Sequence, residues 1–127
     1  YNDYNGWYRI PMMFYLPEYE EDLIANGPEW STHMVSPRIM QQTDIMPTLL
    51  DYLGLPAKTV CFGTSAFRNE IDGWQIAYGN GYYQLETRDG IAVLGSEKQE
   101  GDGNFDLLKA IIQQYMHRMN TNQMRVR

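Results

Sequence analysis

The stretch Trp74-Gln75-Ile76-Ala77-Tyr78-Gly79-Asn80-Gly81-Tyr82-Tyr83-Gln84-Leu85-Glu86-Thr87-Arg88-Asp89-Gly90-Ile91-Ala92-Val93-Leu94 decides the fold class. Trp74 to Tyr78 and Tyr82 to Thr87 are aromatic-rich runs of strand length, divided by Gly79-Asn80-Gly81. Asn-Gly favours the positive backbone angles of a tight hairpin turn, and Asp89-Gly90 offers a second two-residue turn before Ile91 to Leu94. The spacing predicts a three-stranded antiparallel meander with strands at about 74–79, 82–87 and 91–95.

On the C-terminal side the period changes from two to 3.6. Leu107, Leu108, Ile111, Ile112, Tyr115, Met116 and Met119 recur at helical spacing, so a helix is expected over 105–120, covering one face of the meander. The tail with Arg118, Arg125 and Arg127 is expected to fray. On the N-terminal side, Thr43 or Asp44 offers a cap oxygen for a helix over 44–53, with Pro47 in its first turn, where a missing donor costs little. Ile45, Met46, Leu49, Leu50 and Leu53 form a wide apolar stripe that this pattern assigns to the core. Gly54 is placed to end the helix in a left-handed conformation, and Pro56 prevents its resumption. Earlier still, the apolar run Arg9 to Leu16 reads as a buried strand with Pro11 at its beginning or on an edge. Residues 25–38, with Gly27, Pro28, Ser31, Ser36 and Pro37, read as an irregular connection.

The 127 residues, 43% hydrophobic, suffice for one modest core and not for two. A net charge of −6 argues against a nucleic-acid partner, which needs a concentrated positive surface. No apolar run approaches the roughly 20 residues that cross a bilayer, and the polar start lacks the basic region of a signal peptide. The single cysteine, Cys61, forms no internal disulfide, and its neighbours Val60 and Phe62 favour a buried, inert thiol. The acidic run Glu18, Glu20, Glu21, Asp22 reads as a solvated loop or helix start. The chain begins without Met, on a segment that reads as mid-protein, so a fragment is expected.

Candidate chemistry is sparse. His117 falls on the polar side of the last helix, and His33 lies in the irregular connection with no second ligand at a metal-binding spacing. Asp102, Asn104 and Asp106 occupy the first three positions of a calcium loop, but Leu107 stands where glycine is required and no glutamate closes it. Ser65 lacks the second glycine of a nucleophile elbow. The abundant tyrosines suit sheet packing, with a glycan- or partner-binding surface as the alternative. No triad, metal cluster or phosphate cradle can be assembled from these residues.

One segment carries more. Val35-Ser36-Pro37-Arg38-Ile39-Met40-Gln41-Gln42-Thr43-Asp44-Ile45-Met46-Pro47-Thr48-Leu49-Leu50-Asp51-Tyr52-Leu53-Gly54-Leu55 resembles a stretch near the C-terminal end of sulfatases. It is especially similar to the lipoteichoic acid synthase branch of the alkaline phosphatase superfamily. The strand Ile10 to Tyr15 ahead of it and Phe62-Gly63-Thr64-Ser65-Ala66-Phe67 after it agree in order and spacing, so the likeness covers residues 9–67. Beyond that only the general layout agrees.

The resemblance implies an α/β to α+β unit: the distal part of an alkaline-phosphatase-like α/β fold plus a small antiparallel sheet packed by a C-terminal helix. Residues 1–127 would be a single unit of a larger catalytic domain, 1–68 ending the main core and 69–127 forming the C-terminal subdomain. The parent would be a metal-dependent enzyme acting on phosphate or sulfate esters, with Gln42 and Phe62-Gly63 leaning toward phosphoglycerol transfer. It implies a divalent metal (Mn, Mg, Ca or Zn) in the parent and none in this chain, which has neither Asp-His-Gly nor Asp-Asn-Gly. No catalytic residue carries over; Gln42, Asp44, Pro47, Thr48, Gly54, Phe62 and Gly63 match as structural positions. The implied partner is the rest of the parent catalytic domain, with no membrane contact by this segment. The implied location is extracytoplasmic, in the periplasm or cell envelope, with membrane anchoring by upstream helices in many relatives.

Overall fold

A computed structural model describes Met12, residues 38–68 and residues 71–124. The chain divides into two compact units, Tyr1–Ser36 and Pro37–Arg127. The strand expected over Arg9–Leu16, the irregular connection up to Pro37, the acidic run and His33 lie outside the described residues, apart from exposed Met12.

In the second unit the order is a one-turn 3-10 helix Gln42–Asp44, α1 Ile45–Tyr52, β1 Trp74–Gly79, β2 Tyr82–Thr87, β3 Gly90–Gly95, β4 Gln99–Gly101 and α2 Phe105–Asn120. The described residues thus form an α+β arrangement around a four-stranded antiparallel sheet of order β1-β2-β3-β4.

The expected hairpin is present. Gly79 pairs with Tyr82, leaving Asn80 and Gly81 as the two loop residues, with φ of 51° and 81°. Those paired positive angles match the right-handed twist of the flanking strands. The second turn differs in detail from expectation. Thr87 pairs with Gly90, so its loop residues are Arg88 and Asp89, and Gly90 opens β3 with φ 145°.

The structure also adds a strand that the pattern did not predict. Gly95 N–H donates to Lys98 O at 2.7 Å, folding β4 back on β3. Gln99, Glu100 and Gly101 are all exposed, so β4 has no alternation of apolar and polar residues to announce it. It meets β3 closely at Gly101 (φ 106°), where an added Cβ would lie 1.9 Å from Ile91 O. Asp102 Oδ1 then accepts from Ile91 N–H at 3.3 Å, and Asn104 Oδ1 accepts from Leu107 N–H at 2.9 Å as the cap of α2. Two members of the rejected calcium pattern are therefore occupied in turning the chain from β4 into α2.

Alternation sets the two sheet faces. Ile76, Leu85 and Ala92 lie on one face, and α2 covers them with Leu108; Leu85, Ala92 and Leu108 are fully buried. Trp74, Tyr83, Leu94, Phe105, Leu107, Ile111 and Ile112 pack around this cluster. The opposite face carries Gln75, Gln84 and Glu86, with a side-chain hydrogen bond from Gln75 to Glu86.

Helix α1 matches its expected bounds to within a residue and ends as expected. Gly54 has φ 61°, Leu55 N–H donates to Leu50 O at 3.0 Å, and Gly54 N–H donates to Asp51 O at 3.1 Å. This paired pattern satisfies carbonyls that the helix end would otherwise leave open. The apolar stripe requires correction. Ile45, Met46, Leu49 and Leu53 are exposed, Leu50 is half-buried, and the buried residue of α1 is Thr48. Periodicity shows which side chains share a face; it does not show whether the chain itself covers that face.

Candidate functional site

The two segments that carry the sulfatase resemblance meet in space. Asp44 closes the 3-10 turn and is 3% exposed, with both carboxylate oxygens engaged by backbone donors. Oδ2 accepts from Gln41 N–H at 2.9 Å, and Oδ1 accepts from Thr64 N–H at 2.7 Å. One turn later the buried Thr48 hydroxyl donates to Asp44 O at 2.6 Å and accepts from Ala66 N–H at 2.9 Å. Two side chains of one segment thus satisfy backbone donors of another about 20 positions away, where a backbone group without a partner would be costly.

Gly63 allows that approach. A Cβ there would lie 2.0 Å from Thr43 O and 2.7 Å from Asp44 N, inside the backbone of the facing segment. Gln41 binds the same junction to the sheet. Its Nε2 donates to Phe62 O at 3.5 Å, while its Oε1 accepts from Ile76 N–H of edge strand β1 at 3.4 Å. Phe62 meets Tyr115 of α2 edge to face, with ring centroids 5.8 Å apart.

These contacts correct one local expectation. Asp44 does not cap α1 through its side chain. Its carboxylate instead turns back to Gln41, three residues earlier, and across to Thr64. Gln42, the motif glutamine, is exposed, and its neighbour Gln41 makes the bonds just described. Pro47 sits half-buried in the first turn of α1, Gly54 ends that helix, and Phe62 is half-buried. Sequence reasoning missed Gln41, although the three-residue spacing to Asp44 is that of a reciprocal capping box.

Beside the junction, Pro47, Asp51, Thr64, Ser65, Arg68 and Ile71 line a shallow cleft of about 230 Å³. Arg68 Nε stands 3.7 Å from Asp51 Oδ2 at solvent-exposed positions, a pairing that contributes little. Ser65 is buried and its Oγ accepts from Phe67 N–H at 3.2 Å, so it acts in a local turn. Cys61, expected to be buried, is exposed, with Sγ 3.5 Å from Gly63 O. His117 is exposed in the last turn of α2, beside the helix's negative end.

Among the described residues no group of three or more His, Cys, Asp or Glu side chains could hold a metal ion. Of the meander tyrosines, Tyr78 and Tyr83 share the face that carries the core, and Tyr82 lies on the opposite one. Tyr83 packs against the core, Tyr82 lies over Gly95 with Lys98 Nζ 5.4 Å from its ring centre, and Tyr78 alone of these three is exposed. No family model matches the chain, and neither a curated protein nor a solved structure does.

Proposed function

We propose that the chain is the distal portion of a metal-dependent enzyme of the sulfatase type, acting on phosphate or sulfate esters. The phosphoglycerol-transferring, lipoteichoic acid synthase-like branch is favoured. One observation carries this reading. The Asp44-Ile45-Met46-Pro47-Thr48 and Phe62-Gly63-Thr64-Ser65 segments, which bear the resemblance separately, interlock through Asp44, Thr48 and Gly63. Segments that share a structural purpose should meet in this way.

In this reading the segment is scaffolding. The nucleophile and the divalent-metal ligands belong to other parts of the parent, outside the cytoplasm. The metal would activate the hydroxyl nucleophile and stabilise charge on the transferring group. The exposed apolar side of α1 would face the rest of the catalytic domain. The alternative, a glycan- or partner-binding module built on the meander tyrosines, is less well supported, because Tyr82 and Tyr83 are partly buried against this chain itself.

The test is aryl phosphate and aryl sulfate turnover by the full reading frame that contains this chain, with and without manganese, magnesium, calcium or zinc. Metal-dependent release of the aryl alcohol is expected. A reading frame with no Asp-His-Gly or Asp-Asn-Gly ahead of Tyr1 and no metal-dependent turnover would overturn the proposal.

A further inference from the structure

We propose that the connection 55–60 is a processing site for an endopeptidase that cuts after basic residues, and that the two products stay together as a nicked unit. The sequence shapes this connection. Gly54 ends α1 in a left-handed conformation (φ 61°), and Leu55 N–H turns back to Leu50 O. Pro56 has no N–H and biases the residue before it away from helical backbone, so the helix does not resume. Residues 53–59 are exposed without a break, and 55–61 form neither helix nor strand. Over 57–60 no backbone hydrogen bond joins the chain to the rest of the described residues. Endopeptidases take a substrate as an added strand, pairing with its backbone on both sides of the cut. A connection without internal partners enters that arrangement without first breaking a hydrogen bond.

Lys58 supplies the specificity. It is exposed and takes no part in an ion pair among the described residues. The other described basic residues are held. Arg88 belongs to the two-residue loop between β2 and β3, and Lys98 to the turn that folds β4 back, with its Nζ 2.8 Å from Glu100. Lys109 and Arg118 lie within α2, so a cut at any of these four needs the sheet or the helix to open first. Arg38 donates to Arg68 O, and Arg68 N–H donates to Ser65 O at 3.2 Å.

Hydrolysis adds one water across the Lys58–Thr59 peptide bond, leaving a carboxylate on Lys58 and an amine on Thr59. The contacts on either side of the cut do not involve that bond. Asp44 and Thr48 of the first product hold Thr64 and Ala66 of the second at 2.7 and 2.9 Å, and Gln41 reaches Phe62 O and Ile76 N–H. The second product keeps the sheet and α2 with their own core. Before the cut this junction forms within one chain; after it, the junction opposes separation as a contact between two chains and depends on their concentration. The inference does not rest on the ester chemistry proposed above.

The experiment is limited digestion of the 127-residue chain by trypsin, followed by intact mass and size-exclusion chromatography. Among the described residues the first cut should fall after Lys58, about 100-fold faster than any cut within the sheet or α2. Its rate should not rise with urea below the unfolding transition, because no opening is required. The pieces on either side of Lys58 should then elute together as one species. Lys58→Gln should remove this cut and leave the melting temperature unchanged. Asp44→Ala should raise the concentration at which the cut pieces separate by about 30- to 700-fold. A first cut at another described residue, or a Lys58 cut that appears only with urea, would overturn the proposal. So would pieces that separate as soon as they are cut, or an Asp44→Ala chain whose pieces separate at the same concentration as before.

Discussion

At the scale of single residues, Asp44 is the most informative side chain. It is buried, and its charge is met by two backbone N–H groups, from Gln41 and Thr64. Charge-assisted bonds of this kind are stronger than neutral ones, and removing the acceptor leaves two buried donors without partners. Asp44→Ala should therefore destabilise the chain by about 2–4 kcal/mol in urea unfolding. Gly63→Ala should cost about 3 kcal/mol or more, because its methyl group would enter the backbone at Thr43 and Asp44. The two effects should fall short of additivity in a double-mutant cycle, since each change opens the same junction. Full additivity would mean that Asp44 and the Gly63 segment do not support one another.

At the scale of elements, what was legible in the sequence was local. The Asn80-Gly81 turn, the Gly54 helix stop and the amphipathic α2 each depend on residues within a few positions, and each is present. The partners of Asp44 and Thr48 were not legible, because a hydrogen bond across about 20 positions leaves no periodic trace. Strand β4 was invisible because all its residues are exposed and Gly95 and Lys98 form its turn through backbone groups. Cys61 was misjudged from apolar neighbours, although it belongs to an exposed connection whose fixed point is Gly63.

The stripe of α1 gives the sharpest contrast at this scale. Leu85→Ala, at a fully buried position, should cost about 2–5 kcal/mol, whereas Leu49→Ser on the exposed face should change stability by about 0.5 kcal/mol or less. Leu50→Ala, half-buried, should fall between them. Equal losses at Leu49 and Leu85 would show that the chain covers the α1 stripe after all. At the start of α2, Asn104→Ala should remove the cap on Leu107 N–H and cost about 0.5–2 kcal/mol.

At the scale of the whole molecule, the described residues combine a sheet and helix with their own core and a helix, α1, whose larger apolar side chains are left in solvent. Tyr115 and Gln41 join the two parts, one through Phe62 and the other through Ile76 of the edge strand. In the proposed reading a unit of this kind braces a larger domain. The most direct test is to introduce Asp44→Ala into the proposed parent enzyme and measure kcat and Tm together, with saturating metal. A scaffold role predicts a Tm lower by several degrees and an unchanged kcat at temperatures below the transition. An unchanged Tm with turnover abolished would contradict it, and would make Asp44 part of the active site.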